Sequence, residues 1–196
     1  MEKIENKLIV LAFMLVVALL GLSGCQNNNN TTNNTGENSD ELKGLTVYTA
    51  ENKEGYTEYS GSIDAKFSYP TNWISVGKDE QPVFMSSDGK GKSVNVSYAD
   101  YPEAMSFEGF IEASKLGIKN QMTIIGDINH EMINLNGRKA CRLDYVAQQS
   151  ETVNVNIIQA VFVDGGKVYI LTVAANSDYY EEAKPELDTI IKSFTK

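Results

Sequence analysis

The stretch from Thr152 to Ala175 constrains the fold more than any other part of the chain. Two runs rich in β-branched and aromatic residues flank Asp164-Gly165-Gly166, and such runs around a glycine-containing turn are typical of a β-hairpin. A strand with one face in water alternates apolar and polar residues, but from Ile157 onward both faces of this hairpin are apolar. We therefore predict a central hairpin with a further layer of structure on each face.

Alternating apolar residues predict shorter strands around this hairpin. Asn136-Gly137, the dipeptide that most strongly favours a tight hairpin turn, separates two of them. Pro70 ends the first strand, because proline cannot donate to a central ladder. Leu45–Tyr48 is open to two interpretations, a weak strand or a docking segment. The predicted strands are Ser62–Tyr69, Pro82–Ser87, Val94–Tyr98, Thr123–Gly126 followed by Ile128–Leu135, and Cys141–Ala147.

Two amphipathic helices complete the predicted domain. Ser106 can cap the first, after which apolar residues recur at helical spacing from Phe107 to Ile118. Ser177 can cap the second, in which Pro185 should produce a kink or restart the helix at a first-turn position. Together these elements predict an α+β fold with a central antiparallel β-sheet sandwiched by helices on both faces.

The N-terminus resembles the signal of a bacterial lipoprotein. The uncharged run Leu8–Leu22 would span about 22 Å as a helix, less than the roughly 30 Å of a bilayer core. It ends in Leu22-Ser23-Gly24-Cys25, which resembles a lipobox. The resemblance implies that residues 1–24 are removed and that Cys25 carries lipid. The alternatives are an ordinary signal peptide, or an N-terminal anchor, with a cysteine there by chance.

Residues 25–55 are predicted to be a tether between the lipid and a domain at 56–196. Asn27–Asn34 contains only asparagine and threonine, and the stretch is too poor in apolar residues to fold alone. The mature protein would lie on the extracytoplasmic face of the cell membrane, anchored through Cys25. Cys141 would then lack a cysteine partner, so no disulfide is expected.

Charge and residue types exclude several classes of function. The net charge of −9 argues against a nucleic-acid partner, which needs a basic surface. The single histidine, His130, rules out a site with two or three histidine ligands in one chain, and no cofactor, metal site or catalytic set is predicted. Cys141 lies in an alternating apolar pattern, which favours a buried residue over a nucleophile.

Three aromatic residues, Trp73, Tyr98 and Tyr101, could line a groove for a peptide or a sugar, although packing in the core or at its rim is the favoured explanation. These observations favour a non-catalytic module that binds a protein or an envelope ligand. The alternatives are a hydrolase or metal-dependent enzyme with a site assembled from distant residues, and a passive spacer.

The segment Ser62–Phe194 resembles the PsbP-like family, which includes the extrinsic photosystem II protein and bacterial lipoproteins. The resemblance rests on Phe67-Ser68-Tyr69-Pro70 with Trp73, on the Asn136-Gly137 turn, and on the closing Ile190-Ile191-Lys192-Ser193-Phe194. It implies an α/β/α sandwich. The resemblance assigns no function to any residue of this chain, because its motifs are structural and a fold alone does not specify a function.

Overall fold

The computed structural model describes residues 41–102 and 104–196. These residues form ten β-strands, two α-helices and one turn of 3-10 helix. The strands are β1 (Thr46–Tyr48), β2 (Tyr56–Tyr59), β3 (Phe67–Pro70), β4 (Ile74–Ser75), β5 (Val83–Met85), β6 (Ser93–Asp100), β7 (Ile124–Leu135), β8 (Arg138–Gln148), β9 (Asn154–Asp164) and β10 (Lys167–Asn176). The helices are α1 (Phe107–Gln121) and α2 (Tyr180–Lys192), with the 3-10 turn at Ser177–Tyr179.

Eight strands form one sheet in the order β1-β7-β8-β9-β10-β6-β5-β4. The predicted hairpin, β9 with β10, lies inside this sheet with β8 on one side and β6 on the other. Gly165 and Gly166 form its turn with φ values of 57° and 73°, which glycine adopts without a steric penalty. The predicted α+β class, with one large sheet, is confirmed. β2 and β3 form a separate two-stranded sheet.

The strand pairs of the large sheet are antiparallel, as predicted, except at one edge. β1 runs parallel to β7, with Thr46 opposite Ile133. It lies in the stretch predicted as tether, and of the two interpretations of Leu45–Tyr48 the strand is the correct one. Three residues carry too little pattern to reveal a strand direction. Its position is fixed by distant contacts, including a 2.9 Å hydrogen bond from the Asn136 N–H to the Tyr48 carbonyl.

The first predicted strand, Ser62–Tyr69, is shorter than expected. Ile63 and Ala65 are buried, but the Ala65 N–H donates to the Ile63 carbonyl over 2.7 Å, which closes a three-residue turn. Lys66 forms an isolated bridge with Thr195, and the ladder with β2 begins at Phe67. The alternation from Ile63 to Ala65 therefore reflects a loop that buries side chains, and not a strand.

The buried side chains form two clusters, and each cluster contains one helix. Successive residues of β10 enter different clusters: Leu171 and Val173 the first, Val168 and Ala174 the second. α2 contributes to the first cluster and α1 to the second. The buried residues of α2 are Ala183, Leu187, Ile190 and Ile191, and those of α1 include Phe110, Ile111 and Ile118.

The two helices begin differently. The predicted cap of α1 is confirmed, since the Ser106 hydroxyl accepts a 3.1 Å hydrogen bond from the Gly109 N–H. The predicted cap of α2 is wrong, because Ser177 starts a 3-10 turn and its hydroxyl donates to Asn156 Oδ1 over 2.6 Å. Pro185 lies inside α2 and not in its first turn. Within the described residues, no helix has the length and apolar character to cross a membrane.

Candidate functional site

The predicted site residues lie in different surroundings. Cys25 is outside the described residues. Trp73 is buried in the cluster of α2, whereas Tyr101 packs beside the cluster of α1, where its ring lies 5.7 Å from that of Phe110. Tyr98 is 45% exposed. The structure thus separates Trp73 from Tyr101, and a ligand groove formed by all three aromatic residues stays a prediction.

His130 lies on the surface of β7 beside α1. Its Nδ1 is 3.3 Å from Lys115 Nζ, and its Nε2 is 3.9 Å from a Glu112 carboxylate oxygen. The described residues contain no group of three or more histidine, cysteine, aspartate or glutamate side chains arranged to hold a metal ion. The imidazole therefore belongs to a mixed-charge contact between α1 and the sheet.

The Cys141 thiol is buried, as the sequence predicted. It lies in the middle of β8, opposite Met132 on one side and Val161 on the other. Burial raises the pKa of this thiol to about 12, so it is protonated at physiological pH. A buried neutral thiol is a poor nucleophile, which agrees with the prediction of a core residue.

Arg142, one residue further along β8, is a buried cation that sequence reasoning missed. Its guanidinium donates to both carboxylate oxygens of Asp144, over 2.7 and 2.8 Å, and to Asp188 of α2 over 2.8 Å. Burial alone would raise the pKa of Asp188, but hydrogen bonds from Arg142 and Lys184 outweigh it and hold that pKa below its ordinary value. This network joins the sheet to α2.

Two open clefts lie elsewhere on the surface. One of about 540 Å³ is lined by Lys119–Ile124 and Gly126, where α1 ends and β7 begins. The other, of about 360 Å³, is lined by Glu51–Glu54, Tyr56, Glu58 and Ser68. Most of these residues are polar, and the predicted aromatic residues lie in neither cleft.

A row of three aromatic rings crosses the sheet from the core to the surface. Phe162, Tyr169 and Tyr98 are cross-strand neighbours on β9, β10 and β6. The ring centroids are 5.3 Å apart for the first pair and 6.2 Å apart for the second, at interplanar angles of 24° and 27°. Phe162 and Tyr169 are 1% and 2% exposed. Tyr98 is thus the exposed end of a row that is anchored in the core.

Each ring of this row lies close to a cation. The Arg138 guanidinium is 4.7 Å from the centroid of Phe162, Lys196 Nζ is 5.4 Å from that of Tyr169, and Lys167 Nζ is 5.2 Å from that of Tyr98.

Each of these cations has a carboxylate partner, and Arg138 lies 3.9 Å from Asp164. Asp164 accepts from Lys196 over 2.8 Å, and this hydrogen bond raises the pKa of the lysine. Asp100 accepts from Lys167 over 3.1 Å. The cation beside the exposed ring of Tyr98, Lys167, is thus part of a solvent-exposed ion pair.

The sequence contained a signal for part of this row. Phe162 and Tyr169 stand at equal distances from the Gly165-Gly166 turn, so a two-residue hairpin makes them direct partners. Tyr98 could not be added to the row, because its place beside β10 depends on a pairing between distant parts of the chain.

Beside Tyr98, the outer edge of β6 is open. β5 pairs with Ser93, Val94 and Asn95 only. Pro82 precedes β5, and proline has no N–H with which to extend the ladder. Within the described chain, no backbone hydrogen bond reaches the outer edge of Val96–Asp100, whereas the inner edge of β6 is paired with β10 throughout.

Comparisons with solved structures show the same fold in other proteins. Cyanobacterial PsbP from Synechocystis sp. PCC 6803 matches with a TM-score of 0.56 and 18% identity, covering 74% of this chain and 94% of that one. A Pseudomonas aeruginosa protein of unknown function matches with a TM-score of 0.51 and 17% identity, covering 72% and 96%. The Ran-binding protein Mog1p of Saccharomyces cerevisiae matches with a TM-score of 0.50 and 10% identity, covering 71% and 94%.

At these identities the structural matches establish the fold alone. No curated protein sequence matches the chain. The family assignment comes from the sequence itself, since the model of the PsbP family matches residues 54–196, which contain every described element except β1. The chain therefore belongs to the PsbP family.

Proposed function

We propose that this protein is a non-catalytic binding module that recruits a protein partner at the extracytoplasmic face of the membrane. The observation that carries the proposal is the aromatic row, which ends in the exposed ring of Tyr98 beside the open edge of β6. An aromatic ring held by stacking loses little side-chain entropy on binding, and such rings are enriched at protein interfaces.

Two further observations support a binding role. The reactive groups described above serve the fold, since the Cys141 thiol is buried in the core and Arg142 is saturated by two carboxylates. One protein with this fold, Mog1p, is a Ran-binding protein, so the fold can support protein recognition.

The proposal includes an α/β/α sandwich, with α1 and α2 on opposite faces of the sheet. It is supported by the alternation along β10, whose successive residues join the cluster of one helix and then that of the other. The sheet is then covered on both faces, so the open edge of β6 offers a partner its unpaired backbone groups.

The proposed anchor is lipid on Cys25. We expect radiolabelled palmitate to be incorporated into the wild-type chain and the protein to fractionate with membranes. Cys25→Ala should abolish both the labelling and the cleavage after residue 24. Unchanged fractionation and labelling in that variant would contradict the proposed anchor.

The recruitment proposal is tested by photo-cross-linking of the full chain in its own cells, with benzoylphenylalanine placed at position 98. The matched control carries the same group at Tyr179, which is 42% exposed and lies far along the chain, before α2. We expect a reproducible adduct with one protein from position 98 and none from position 179. Absence of an adduct at position 98, or the same adducts at both positions, would contradict recruitment through this surface.

A further inference from the structure

We infer that the open edge of β6, Val96–Asp100, binds an extended basic segment of the partner protein as an added strand of the sheet. This inference rests on the proposed function and specifies where the partner binds and what its segment must contain. An added strand satisfies backbone N–H and C=O groups at the edge, while its alternating side chains determine specificity.

The part of β7 that β1 leaves unpaired and the part of β6 that β5 leaves unpaired differ in how well they would accept a strand. On the β7 edge, the register breaks at a bulge between Ile125 and Asn129, which contains the charged Asp127, and Glu131 follows it. Bulges and charges are the features by which proteins prevent unwanted pairing at an edge. The β6 edge has neither a bulge nor a proline, since its register with β10 is unbroken and Val96–Ala99 is uncharged.

The side chains along the β6 edge suit a neighbouring strand. Ser97 and Ala99 are small and partly buried, so on their face of the sheet they leave room for the side chains of an added strand. On the other face, Tyr98 presents its ring to the side chain directly opposite. Cross-strand pairs between an aromatic and a β-branched residue are among the favourable pairs in sheets.

The charges near the β6 edge and the net charge of the chain favour a basic segment over a second copy of this chain. Asp100 ends the edge with a side chain that is 93% exposed, and its pair with Lys167 engages one of its two carboxylate oxygens, Oδ1. The Lys78–Gln81 turn, which precedes β5, carries exposed Asp79 and Glu80 beside exposed Lys78, so that three acidic side chains face two basic ones at this edge. The whole chain has a net charge of −9, so two copies repel each other, whereas a lysine or arginine near Asp100 is attracted.

The test measures backbone amide exchange of the full chain with three capped seven-residue peptides. The first alternates valine and threonine and ends in lysine at both termini. The second replaces the lysines by glutamate, and the third replaces the valines by proline, which prevents ladder formation. We expect the lysine peptide to slow exchange within Val96–Asp100, the glutamate peptide to bind at least tenfold more weakly, and the proline peptide to give no protection.

Two matched tyrosine variants locate the effect. Tyr98→Ala should weaken the lysine peptide about fivefold to tenfold, because it removes one aromatic cross-strand contact. Tyr179→Ala, which alters a comparably exposed tyrosine elsewhere, should leave the affinity unchanged.

Three results would overturn the inference: no protection of Val96–Asp100 by the lysine peptide at millimolar concentration, equal protection by the proline peptide, or protection that grows with protein concentration and needs no peptide. The last result would identify a second copy as the occupant. If an adduct still forms at position 98 in cells while these amides remain unprotected, the proposed function stands and the added strand does not.

Discussion

Arg142 is held between two carboxylates that lie far apart in the sequence, Asp144 on its own strand and Asp188 on α2. Asp188→Asn removes one charge and leaves the buried guanidinium partly unpaired, so we expect the free energy of unfolding at pH 7 to fall by about 1–3 kcal/mol. Urea unfolding followed by circular dichroism measures this change. Asp178→Asn, at an exposed position, is the control and should change stability by less than about 0.5 kcal/mol.

The stability difference between wild type and Asp188→Asn should depend on pH. The pKa of Asp188 in the folded protein lies below its ordinary value of 3.8, so its charged form stabilises the folded state. That contribution is complete above the ordinary value and is lost as the pH falls through the folded pKa. The difference in stability between wild type and Asp188→Asn should therefore shrink from pH 7 towards pH 3. A difference that stays constant over this range would contradict a role for the carboxylate charge.

The Cys141 thiol should be unreactive in the folded protein. Its pKa of about 12 and its place between Met132 and Val161 leave neither thiolate nor access for a reagent at pH 8. In a Cys25→Ala background Cys141 is the one remaining cysteine, so iodoacetamide should label the chain in urea and not in buffer. Labelling at similar rates in both conditions would show that the strand opens or that the thiol is exposed.

At the scale of single residues, the sequence predicted which side chains are buried better than it predicted which side chains contact each other. The alternation of apolar residues along β8 placed Cys141 in the core. It could not show that Asp188 would meet Arg142, because that contact depends on how α2 crosses the sheet. Cross-strand and helix–sheet partners distant in sequence are decided by packing, which a local pattern does not contain.

The β7–β8 turn joins three parts of the fold through one side chain, Asn136. Its backbone has φ 53°, its side-chain NH2 donates to the carbonyls of Lys192 and Phe194 over 2.9 and 3.0 Å, and its Oδ1 accepts from the Ala50 N–H over 2.7 Å. Glycine can adopt the positive φ at position 136 but cannot make these side-chain hydrogen bonds. Asn136→Gly should therefore lower the free energy of unfolding by about 1–2 kcal/mol. Asn136→Asp places a carboxylate against two carbonyls and should cost more. Chemical unfolding of both variants measures these losses of stability. An aspartate variant at least as stable as the glycine variant would contradict the role of the Asn136 side chain as a hydrogen-bond donor.

Elements defined by strong turns were predictable, and elements defined by tertiary contact were not. Gly165-Gly166 and Asn136-Gly137 provide the positive φ that two-residue hairpins require, so both hairpins were found. The Ile63–Ala65 loop imitated a strand because a turn that buries two side chains has the same period of two. Ser177 failed as a cap because Asn156 of β9 binds its hydroxyl.

At the scale of the whole molecule, β1 connects the predicted tether to the sheet. It lies before the matched region of the PsbP family, which begins at residue 54. Thr46 nevertheless donates to Glu131 over 2.5 Å, and the Tyr48 hydroxyl accepts from Arg142 over 3.5 Å. Under the proposed anchoring through Cys25, a pull on the tether would load β1 and β7, on the other side of the β9–β10 hairpin from β6.

Because β1 contacts the sheet, we predict that the stably folded domain begins before residue 56, the boundary predicted from the sequence. A chain of residues 56–196 lacks β1 and the contacts of Thr46, Tyr48 and Ala50 with β7, β8 and the turn between them. At about 1 kcal/mol for each lost hydrogen bond, we expect it to be less stable than residues 41–196 by on the order of 3 kcal/mol. Parallel urea titrations measure the difference. Coincident unfolding midpoints and slopes would show that β1 rests on the sheet without stabilising it, and that the tether extends to residue 55.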